Sequence, residues 1–180
     1  MVYCFLANGF EELEAIAPID MLKRAGVKVV TVGVDNKNVT GSHGITIVAD
    51  ITCDEVVFSN DIEAIILPGG MPGTLNLEKN ETVQRMIDFA DSKDIYLCAI
   101  CAAPSVFGHK GLLEGKKATA FPGFEKDLIG AEIAEDYVCR DGKIITARGA
   151  GVAVKFGLEI VSALVSKEKS DEIEKTIQSI

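Results

Sequence analysis

Cys101 is the residue of this chain whose surroundings in sequence best suit nucleophilic chemistry. It follows a continuous apolar run, Ile95-Tyr96-Leu97-Cys98-Ala99-Ile100, and precedes small residues that suit the start of a helix, Ala102-Ala103-Pro104-Ser105. The pattern predicts a strand, a sharp turn and a helix. A side chain at such a turn projects above the edge of the sheet, beside the backbone N–H groups that follow it. The alternative is a buried cysteine with a packing role only, which is a common fate of this residue type.

A cysteine nucleophile also needs a proton partner and hydrogen-bond donors for the oxygen that becomes charged during attack. We expect the helix N-terminus to lower the pKa of the Cys101 thiol. The backbone N–H groups of Ala102 and Gly70 are expected to form an oxyanion hole. Gly70 belongs to the loop Pro68-Gly69-Gly70-Met71-Pro72-Gly73 after another apolar run, and its glycines allow close approach of the backbone to a ligand.

One of three early glutamates, Glu11, Glu12 or Glu14, is the expected carboxyl partner of Cys101. A helix that starts near Glu11 would place Glu14 one turn in from the preceding loop, beside apolar neighbours. A carboxyl group in such surroundings tends to keep its proton and can hydrogen-bond a thiolate. Glu11 and Glu12 are instead expected to be solvated charges that complement the helix dipole.

The other thiols and the two histidines give weaker signals. The spacing Cys98-x-x-Cys101 also occurs in redox and zinc sites, but Cys98 lies inside the apolar run and no second pair of ligands is nearby, so we expect it in the core. Packing or surface positions are expected for the remaining cysteines, Cys4, Cys53 and Cys139. Neither His43 nor His109 directly follows Cys101, so a Cys/His dyad would have to form through the fold. His109 is expected to complement the dipole at the end of the helix after Cys101.

The alternation of apolar runs with helical patterns predicts an α/β sandwich with a largely parallel sheet. Strands are predicted at residues 2–7, 27–34, 62–67 and 95–100, a hairpin through residues 39 and 45–48, and short strands at 118–120, 137–140 and 143–147. Helices are predicted from about residue 11 to 25, from 82 to 92, from 152 to 165 and from 170 onwards. The loops at 9–14, 68–73 and Cys101 each follow a strand, so we expect them to converge at the carboxyl ends of the strands, where ligands bind in such sheets.

Composition limits the function classes. The chain has 180 residues, of which 48% are hydrophobic, and a formal net charge of -9. We therefore expect one domain over residues 1–180 and no face that binds nucleic acid. Apolar runs fall short of the roughly 18 residues that span a bilayer, and the first residues lack the basic start of a signal peptide. The chain has five cysteines, an odd number. Together with the lack of a signal peptide pattern, this favours reduced thiols, so we expect a cytoplasmic protein.

Six motifs, in this order, resemble those of the DJ-1/PfpI (ThiJ/PfpI) superfamily, and within it the DJ-1-like branch of Parkinsonism-associated deglycase homologues. They are Gly9-Phe10-Glu11-Glu12-Leu13-Glu14, Pro18-Ile19-Asp20, Arg24-Ala25-Gly26, Leu67-Pro68-Gly69-Gly70, Ala99-Ile100-Cys101-Ala102-Ala103-Pro104 and Thr146-Ala147-Arg148-Gly149. Together they cover nearly the whole chain and are specific.

The resemblance implies a flavodoxin-like, three-layer α/β sandwich with a cysteine nucleophile elbow, usually in a homodimer. It implies that Cys101 is the reactive cysteine, that Glu14 is its protonated partner, and that the amides of Gly70 and Ala102 lie on the oxyanion side. Members of this branch are described as cofactor-free glyoxalases of methylglyoxal and glyoxal, as deglycases of early glycation adducts and as redox-responsive chaperones. No metal or cofactor is therefore expected.

Three further residues are candidates around the site: Gly69 for oxyanion or substrate binding, and Arg24 and His43 for supporting positions behind the reacting groups. His43 stands where many members of the family carry an arginine. Ala102 stands where the peptidase-like branch has a histidine, which disfavours a protease.

Two more departures from the family pattern concern the pocket. Phe121-Pro122 stands where human-type members have a histidine, which implies a more apolar pocket. Ala150 replaces the proline of the Arg-Gly-Pro-Gly loop.

Three functions follow as hypotheses. The first is the removal of reactive α-oxoaldehydes, or of their protein and nucleotide adducts, through a Cys101 hemithioacetal with Glu14 as the proton shuttle. The second is a redox-sensing chaperone in which Cys101 is oxidised to a sulfinate beside Glu14. The third, a cysteine hydrolase or peptidase, needs a histidine within reach of Cys101. The expected partners are small aldehydes or glycated molecules and a second copy of the chain, and neither nucleic acid nor a membrane.

Overall fold

The computed structural model describes residues 1–179, in which a seven-stranded sheet lies between two layers of helices. The strands are β1 (Val2–Leu6), β2 (Val29–Gly33), β3 (Asn38–Thr40), β4 (Thr46–Val48), β5 (Ile51–Thr52), β6 (Ala64–Leu67), β7 (Tyr96–Ile100), β8 (Lys117–Ala118), β9 (Glu132–Ile133), β10 (Val138–Asp141) and β11 (Ile144–Ala147). The helices are α1 (Glu12–Arg24), α2 (Gly73–Lys79), α3 (Glu81–Ser92), α4 (Pro104–His109), α5 (Ala153–Leu164) and α6 (Lys167–Thr176). Among residues 1–179, no helix has both the length and the apolar character needed to cross a membrane.

The strand order in the main sheet is β10-β11-β7-β6-β1-β2-β5. All neighbours in it are parallel except β10 and β11, which form an antiparallel pair. Two small pairs, β3 with β4 and β8 with β9, lie outside this sheet. The predicted flavodoxin-like α/β sandwich with a mostly parallel sheet is confirmed.

The central strands are apolar on both faces because helices cover both faces. In β1, Tyr3 and Phe5 belong to the core on the α3 and α4 side, whereas Cys4 and Leu6 belong to the core on the α1 and α5 side. Successive side chains of a strand point to opposite faces, which accounts for this alternation. Cys98 is fully buried in the second of these cores, as the sequence predicts.

The sheet topology brings three loops together at one edge. The chain runs from β1 to β2 on one side of β1 and later returns to β6 on its other side. The connections therefore diverge between β1 and β6, and such a point leaves a crevice at the carboxyl ends of the strands. There the Glu11 N–H donates to the Gly69 carbonyl (2.9 Å) and the Gly73 N–H donates to the Gly9 carbonyl (3.2 Å). The expected convergence of the loops is confirmed.

The prediction missed the elements that depend on distant partners. Helix α2 begins at Gly73, inside a stretch predicted as loop, and the two-residue strands β5 and β9 exist only through their pairing with neighbours. Helix α6 begins at Lys167, before the predicted start, because the Ser166 hydroxyl accepts a hydrogen bond from the Lys169 N–H (3.2 Å). Such an N-cap fixes the start of a helix.

Helix α1, which carries Glu14, is held in place by close packing on α5. A Cβ on Gly157 would lie 2.7 Å from the Pro18 Cα, so the two helices approach each other too closely for any side chain there. We expect Gly157→Ala to lower the free energy of unfolding by about 1–2 kcal/mol, because overpacking outweighs the gain in helix propensity. Urea unfolding measures this change.

Gly151→Ala is the control, since a Cβ at Gly151 would meet nothing within 4 Å. It should change the free energy of unfolding by less than about 0.5 kcal/mol. Equal stability of the two variants would contradict the proposed role of this helix contact.

Candidate active site

Cys101 forms a sharp turn between β7 and α4. Its φ of 66° lies in the left-handed region, which is unusual for a residue with a side chain. Two hydrogen bonds of 2.8 Å hold it there: the Cys101 N–H donates to the Ala147 carbonyl, and the Phe121 N–H donates to the Cys101 carbonyl. Strained backbone persists only where surrounding structure over-determines it, and such positions cluster at functional sites. The predicted cysteine elbow is confirmed.

Glu14 lies in the first turn of α1 and is 1% exposed. Its Oε2 accepts a hydrogen bond from the Gly69 N–H (3.0 Å), and the carboxyl group also contacts the Cys101 sulfur and the Ala150 N–H. A Cβ on Gly69 would lie 2.6 Å from both Cys101 Cβ and Glu14 Oε2. Only glycine therefore leaves room for the thiol and the carboxyl group to meet across this loop.

The surroundings of Glu14 favour its protonated form. Burial is the main cause and, with the nearby negative charge of Glu11, raises the pKa of Glu14 to about 7. Hydrogen bonds from Cys101, Gly69 and Ala150 act in the opposite direction and are weaker in sum. Near neutral pH this carboxyl group can both give and accept a proton, as the sequence analysis expects.

The pKa of the Cys101 thiol is raised, whereas the sequence predicts a lowered pKa. Burial, together with the charge of an ionised Glu14 and the hydrogen bond to it, raises the pKa of Cys101 to about 12. Helix α4 has only six residues and begins three residues after Cys101, which limits any dipole effect. When Glu14 carries its proton, the repulsion disappears and the carboxyl O–H can donate to sulfur, which favours the thiolate. The nucleophile therefore depends on the protonation of Glu14.

Four backbone amides surround these two groups, and two of them face the sulfur. The N–H groups of Gly70 and Ala102 hydrogen-bond to the Cys101 sulfur, where they stabilise negative charge. The Gly69 N–H is instead used by Glu14. Gly69 thus supports the carboxyl group, which corrects its expected place among the oxyanion donors.

Glu12 is not the solvated charge that the sequence predicts, because the turn at residues 41–45 covers it. It is 6% exposed, and its carboxylate accepts hydrogen bonds from the backbone N–H groups of His43 (2.8 Å) and Ile45 (3.4 Å). The His43 Nδ1 lies 2.9 Å from Glu12 Oε2. Burial opposes ionisation, but these hydrogen bonds lower the pKa of Glu12 to about 2. Glu12 therefore ties the turn to α1.

Glu11 is half-buried and caps α1: its carboxylate accepts a hydrogen bond from the Glu14 N–H (2.8 Å). Its oxygen lies 3.9 Å from the His43 Nδ1. Ligand atoms of Glu11, Glu12 and His43 lie within 4.8 Å of one another, a spacing at which a cation could bind and which the sequence analysis does not foresee. In this arrangement His43 supports the two glutamates and not Cys101 directly.

Arg24 is not brought to the site within one chain, in contrast to its expected supporting position. It lies at the opposite end of α1 from Glu14, about 15 Å further along the helix axis. Its exposed side chain pairs with Asp20 (2.9 Å), one turn back on the same helix. The helix that positions Glu14 thus carries Arg24 away from it.

Neither histidine reaches the nucleophile among residues 1–179. His43 contacts Glu12, and His109, at the end of α4, contacts Glu78. The groups that hydrogen-bond the Cys101 sulfur are Glu14 and the amides of Gly70 and Ala102. A cysteine hydrolase with a Cys/His dyad is therefore not supported.

An apolar cavity of about 460 Å³ lies next to Glu14, because Gly149 and Ala150, which approach the carboxyl group, belong to its lining. It is lined by Phe121, Pro122, Tyr137, Arg148, Gly149, Ala150, Gly151 and Val152. Phe121, Pro122 and Ala150 are expected at the pocket from the sequence, Arg148 and Gly149 occur there only within a family motif, and Tyr137, Gly151 and Val152 are not predicted. Tyr137 belongs to a distant hairpin with no local motif, whereas Gly149 stands in the Thr146-Ala147-Arg148-Gly149 motif and could have been identified.

Comparisons with known proteins point to one family. The model of the DJ-1/PfpI family matches residues 1–163. Protein DJ-1 homolog A of Arabidopsis thaliana is 39% identical over 172 residues, which is 93% of this chain and 44% of that protein. Deglycase PH1704 of Pyrococcus horikoshii is 34% identical over 146 residues, 79% of this chain and 86% of that protein. The structure titled Toxoplasma gondii DJ-1, oxidized has a TM-score of 0.90 and 32% identity, and covers 98% of this chain and 97% of that chain. The chain spans less than half the length of the first curated relatives it matches.

The raised pKa of Glu14 predicts a specific loss of stability with pH. The folded protein keeps a proton that the unfolded chain releases above the usual pKa, so the free energy of unfolding should fall as pH rises from 5.5 to 7.5. For a shift to about 7, this contribution is roughly 2 kcal/mol. Glu14→Gln should abolish it, as measured by urea unfolding at both pH values.

The lowered pKa of Glu12 adds stability mainly below about pH 5, outside the range measured. His43 titrates in wild type and in Glu14→Gln alike. Neither group therefore changes the difference in pH dependence between wild type and Glu14→Gln. Glu135→Gln, at an exposed position, controls for the loss of one negative charge. If wild type and Glu14→Gln lose stability equally over this range, Glu14 is not the group that titrates.

Proposed function

This chain belongs to the DJ-1/PfpI family, and from that premise we propose that it removes reactive α-oxoaldehydes, or their early adducts, with Cys101 as the nucleophile and no cofactor. One observation carries the proposal. A buried carboxyl group with a pKa near neutrality, Glu14, hydrogen-bonds a cysteine sulfur that also faces two backbone amides. Nucleophile, proton shuttle and oxyanion donors are the parts that this reaction needs. The deglycase name of the Pyrococcus relative also supports it.

In the first half of the proposed reaction, the Cys101 thiolate attacks the aldehyde carbon of methylglyoxal. A C–S bond forms, and the electron pair of the C=O bond moves to oxygen, where the N–H groups of Gly70 and Ala102 stabilise the charge. Glu14 gives its proton to this oxygen and leaves a neutral hemithioacetal. The thiolate and the protonated carboxyl group are thus consumed together.

In the second half, the Glu14 carboxylate removes the proton from the former aldehyde carbon and delivers it to the ketone oxygen, which gives an enediol. Transfer of the proton of the hydroxyl on the former aldehyde carbon to the neighbouring carbon, again through Glu14, gives a thioester of a 2-hydroxy acid. Water then cleaves the C–S bond, which releases lactate and restores the Cys101 thiolate and the protonated Glu14. The aldehyde carbon is oxidised and the ketone carbon reduced, so no external oxidant is needed.

The same steps accommodate an early glycation adduct, in which the former aldehyde carbon carries a hydroxyl group and an amine of a protein or nucleotide. The C–N bond breaks as Cys101 forms the C–S bond, and the amine leaves with the proton of Glu14. The hemithioacetal is then the same as that from the free aldehyde. Glyoxalase and deglycase activity are therefore two entries to one reaction path.

A redox-sensing chaperone is the second candidate function, favoured by the exposure of the thiols. Cys101 is partly exposed, whereas Cys4, Cys53, Cys98 and Cys139 are buried. Oxidation to a sulfinate would add acceptor oxygens near the amides that already contact the sulfur, and a protonated Glu14 could donate to them. The structural relative from Toxoplasma gondii is titled as oxidised.

We also propose that two copies associate through α1 and that the protein acts in the cytoplasm. Leu13 (60% exposed) and Ile16 (45% exposed) lie three residues apart on the exposed face of α1, where they are neighbours on one side of the helix. Apolar patches of this kind mark contact surfaces when they are contiguous. The absence of any disulfide among the five cysteines fits a reducing compartment.

The enzymatic proposal predicts that the protein converts methylglyoxal to lactate without added cofactor. We expect Cys101→Ser to lower kcat/KM by at least about 1000-fold, and Glu14→Gln by about 100- to 10,000-fold, since positioned proton transfer contributes that much. Lactate formation, measured enzymatically after a fixed incubation, reports both.

Cys139→Ser serves as the matched control, because Cys139 is buried on β10 and away from the elbow. Turnover by Cys101→Ser at the wild-type rate would exclude the proposed nucleophile. If wild type makes no lactate, but mild peroxide switches on holding of an unfolded client and Cys101→Ser blocks this, the chaperone is the function.

The association proposal predicts that a charge on α1 separates the two copies. Ile16→Glu should convert a dimer to a monomer in sedimentation velocity, because an unpaired charge in an apolar contact is strongly unfavourable. Val57→Glu, at another exposed apolar residue (61% exposed), should leave the dimer intact. Wild-type protein that sediments as a monomer at micromolar concentration would refute the association.

A further inference from the structure

The cavity lies beside the carboxyl group of Glu14 and the backbone of Cys101. Phe121 forms one wall, and its backbone N–H donates to the Cys101 carbonyl (2.8 Å). Gly149 lies between this wall and the carboxyl group: a Cβ there would be 3.2 Å from a Phe121 ring carbon and 3.7 Å from Glu14 Oε1. The wall of the cavity at Phe121 and Gly149 therefore adjoins both the Cys101 backbone and the Glu14 carboxyl group.

The lining of the cavity is suited to a flat apolar group. Phe121 (47% exposed) and Tyr137 (64% exposed) present large aromatic surfaces to solvent, and Ala150 and Val152 add aliphatic surface. Aromatic side chains left exposed in this way gain free energy when a flat apolar partner covers them. A volume of about 460 Å³ is within the usual range for small-molecule sites.

Arg148 is the charged residue of the lining, and its guanidinium group is already engaged. It donates to the carbonyl of Glu135 (2.9 Å) and to the Thr119 hydroxyl (3.3 Å). The same group lies 4.9 Å from the centre of the Tyr137 ring, in a cation–π contact. It therefore fixes the aromatic wall, and the wall presents an apolar surface to the cavity.

We propose that this cavity receives the substituent on the ketone carbon and selects α-oxoaldehydes in which that substituent is an aryl group. The inference rests on the proposed function, because it assigns the substrate class of the same site. Attack by Cys101 at the aldehyde carbon leaves the ketone carbon and its substituent directed away from the sulfur. A methyl group leaves the cavity largely empty, whereas a phenyl ring covers Phe121 and Tyr137.

Phenylglyoxal and methylglyoxal, compared by kcat/KM in wild type and variants, test the inference. Phe121→Ala removes the ring but keeps the backbone N–H to Cys101. We expect it to lower the phenylglyoxal-to-methylglyoxal ratio of kcat/KM by roughly 10-fold, the size of a lost apolar pocket contact. Tyr137→Ala, at a more exposed position, should change the ratio in the same direction and guards against misfolding of the first variant.

Val165→Ala is the matched control, since Val165 is exposed to the same extent as Phe121, 47%, and follows the far end of α5. It should leave the ratio unchanged. An unchanged ratio in both Phe121→Ala and Tyr137→Ala, with both substrates turned over, overturns the assignment of the cavity and leaves the proposed function intact.

A binding measurement separates the two ideas if there is no turnover. Acetophenone has the ring but no aldehyde for the sulfur to attack, and acetone is its counterpart without the ring. In saturation-transfer NMR, we expect acetophenone to bind the Cys101→Ser protein and acetone not to bind it. The double variant with Cys101→Ser and Phe121→Ala should no longer bind acetophenone. This result without turnover of either dicarbonyl would support the cavity and refute the glyoxalase proposal; absence of acetophenone binding together with absence of turnover would refute both.

Discussion

The structure depends on one contact, in which the buried carboxyl group of Glu14 meets the partly exposed thiol of Cys101. Because these acids are adjacent and burial raises the pKa of both, the pair favours one negative charge over two. Amides of Gly69 and Ala150 favour that charge on the carboxylate, and amides of Gly70 and Ala102 favour it on sulfur. The balance between these two sets of donors decides how much thiolate exists near neutral pH. Function as a nucleophile or as an oxidisable thiol starts from this same balance.

The fold makes this contact possible by bringing backbone unusually close to side chains. The crevice between β1 and β6 admits the first turn of α1, and Gly69 leaves the space that the two acids share. A second close approach, at Gly157, fixes α1 against α5. Glycine is needed at these points because of space, and not for turn formation. Helix α1 is thereby positioned by close packing at its first turn and again near its middle, at Pro18.

The prediction from sequence succeeded where local pattern determines the structure. The run that ends at Cys101 is continuous, apolar and followed by small residues, so strand, turn and helix could all be foreseen. It failed for Glu12, which looks like any surface glutamate until the turn at residues 41–45, about 30 residues away, covers it. It also failed for the direction of the Cys101 pKa, since a local pattern shows neither the burial of the thiol nor the charge of Glu14. The short strands β5 and β9 form only by pairing with strands distant in sequence, so about ten consecutive residues do not predict them.

The distribution of the free thiols has a consequence for how the protein's motions could be followed. Cys4 and Cys98 lie in central strands, Cys139 in the edge strand β10, and Cys53 in a short turn. Each of these four is buried, so a thiol reagent reaches it only when the native state opens around it. Cys101 alone needs no such opening. A time course of thiol labelling, resolved by peptide mass, would therefore report the local stability around each buried cysteine, with the labelling of Cys101 in the same molecule as the reference rate.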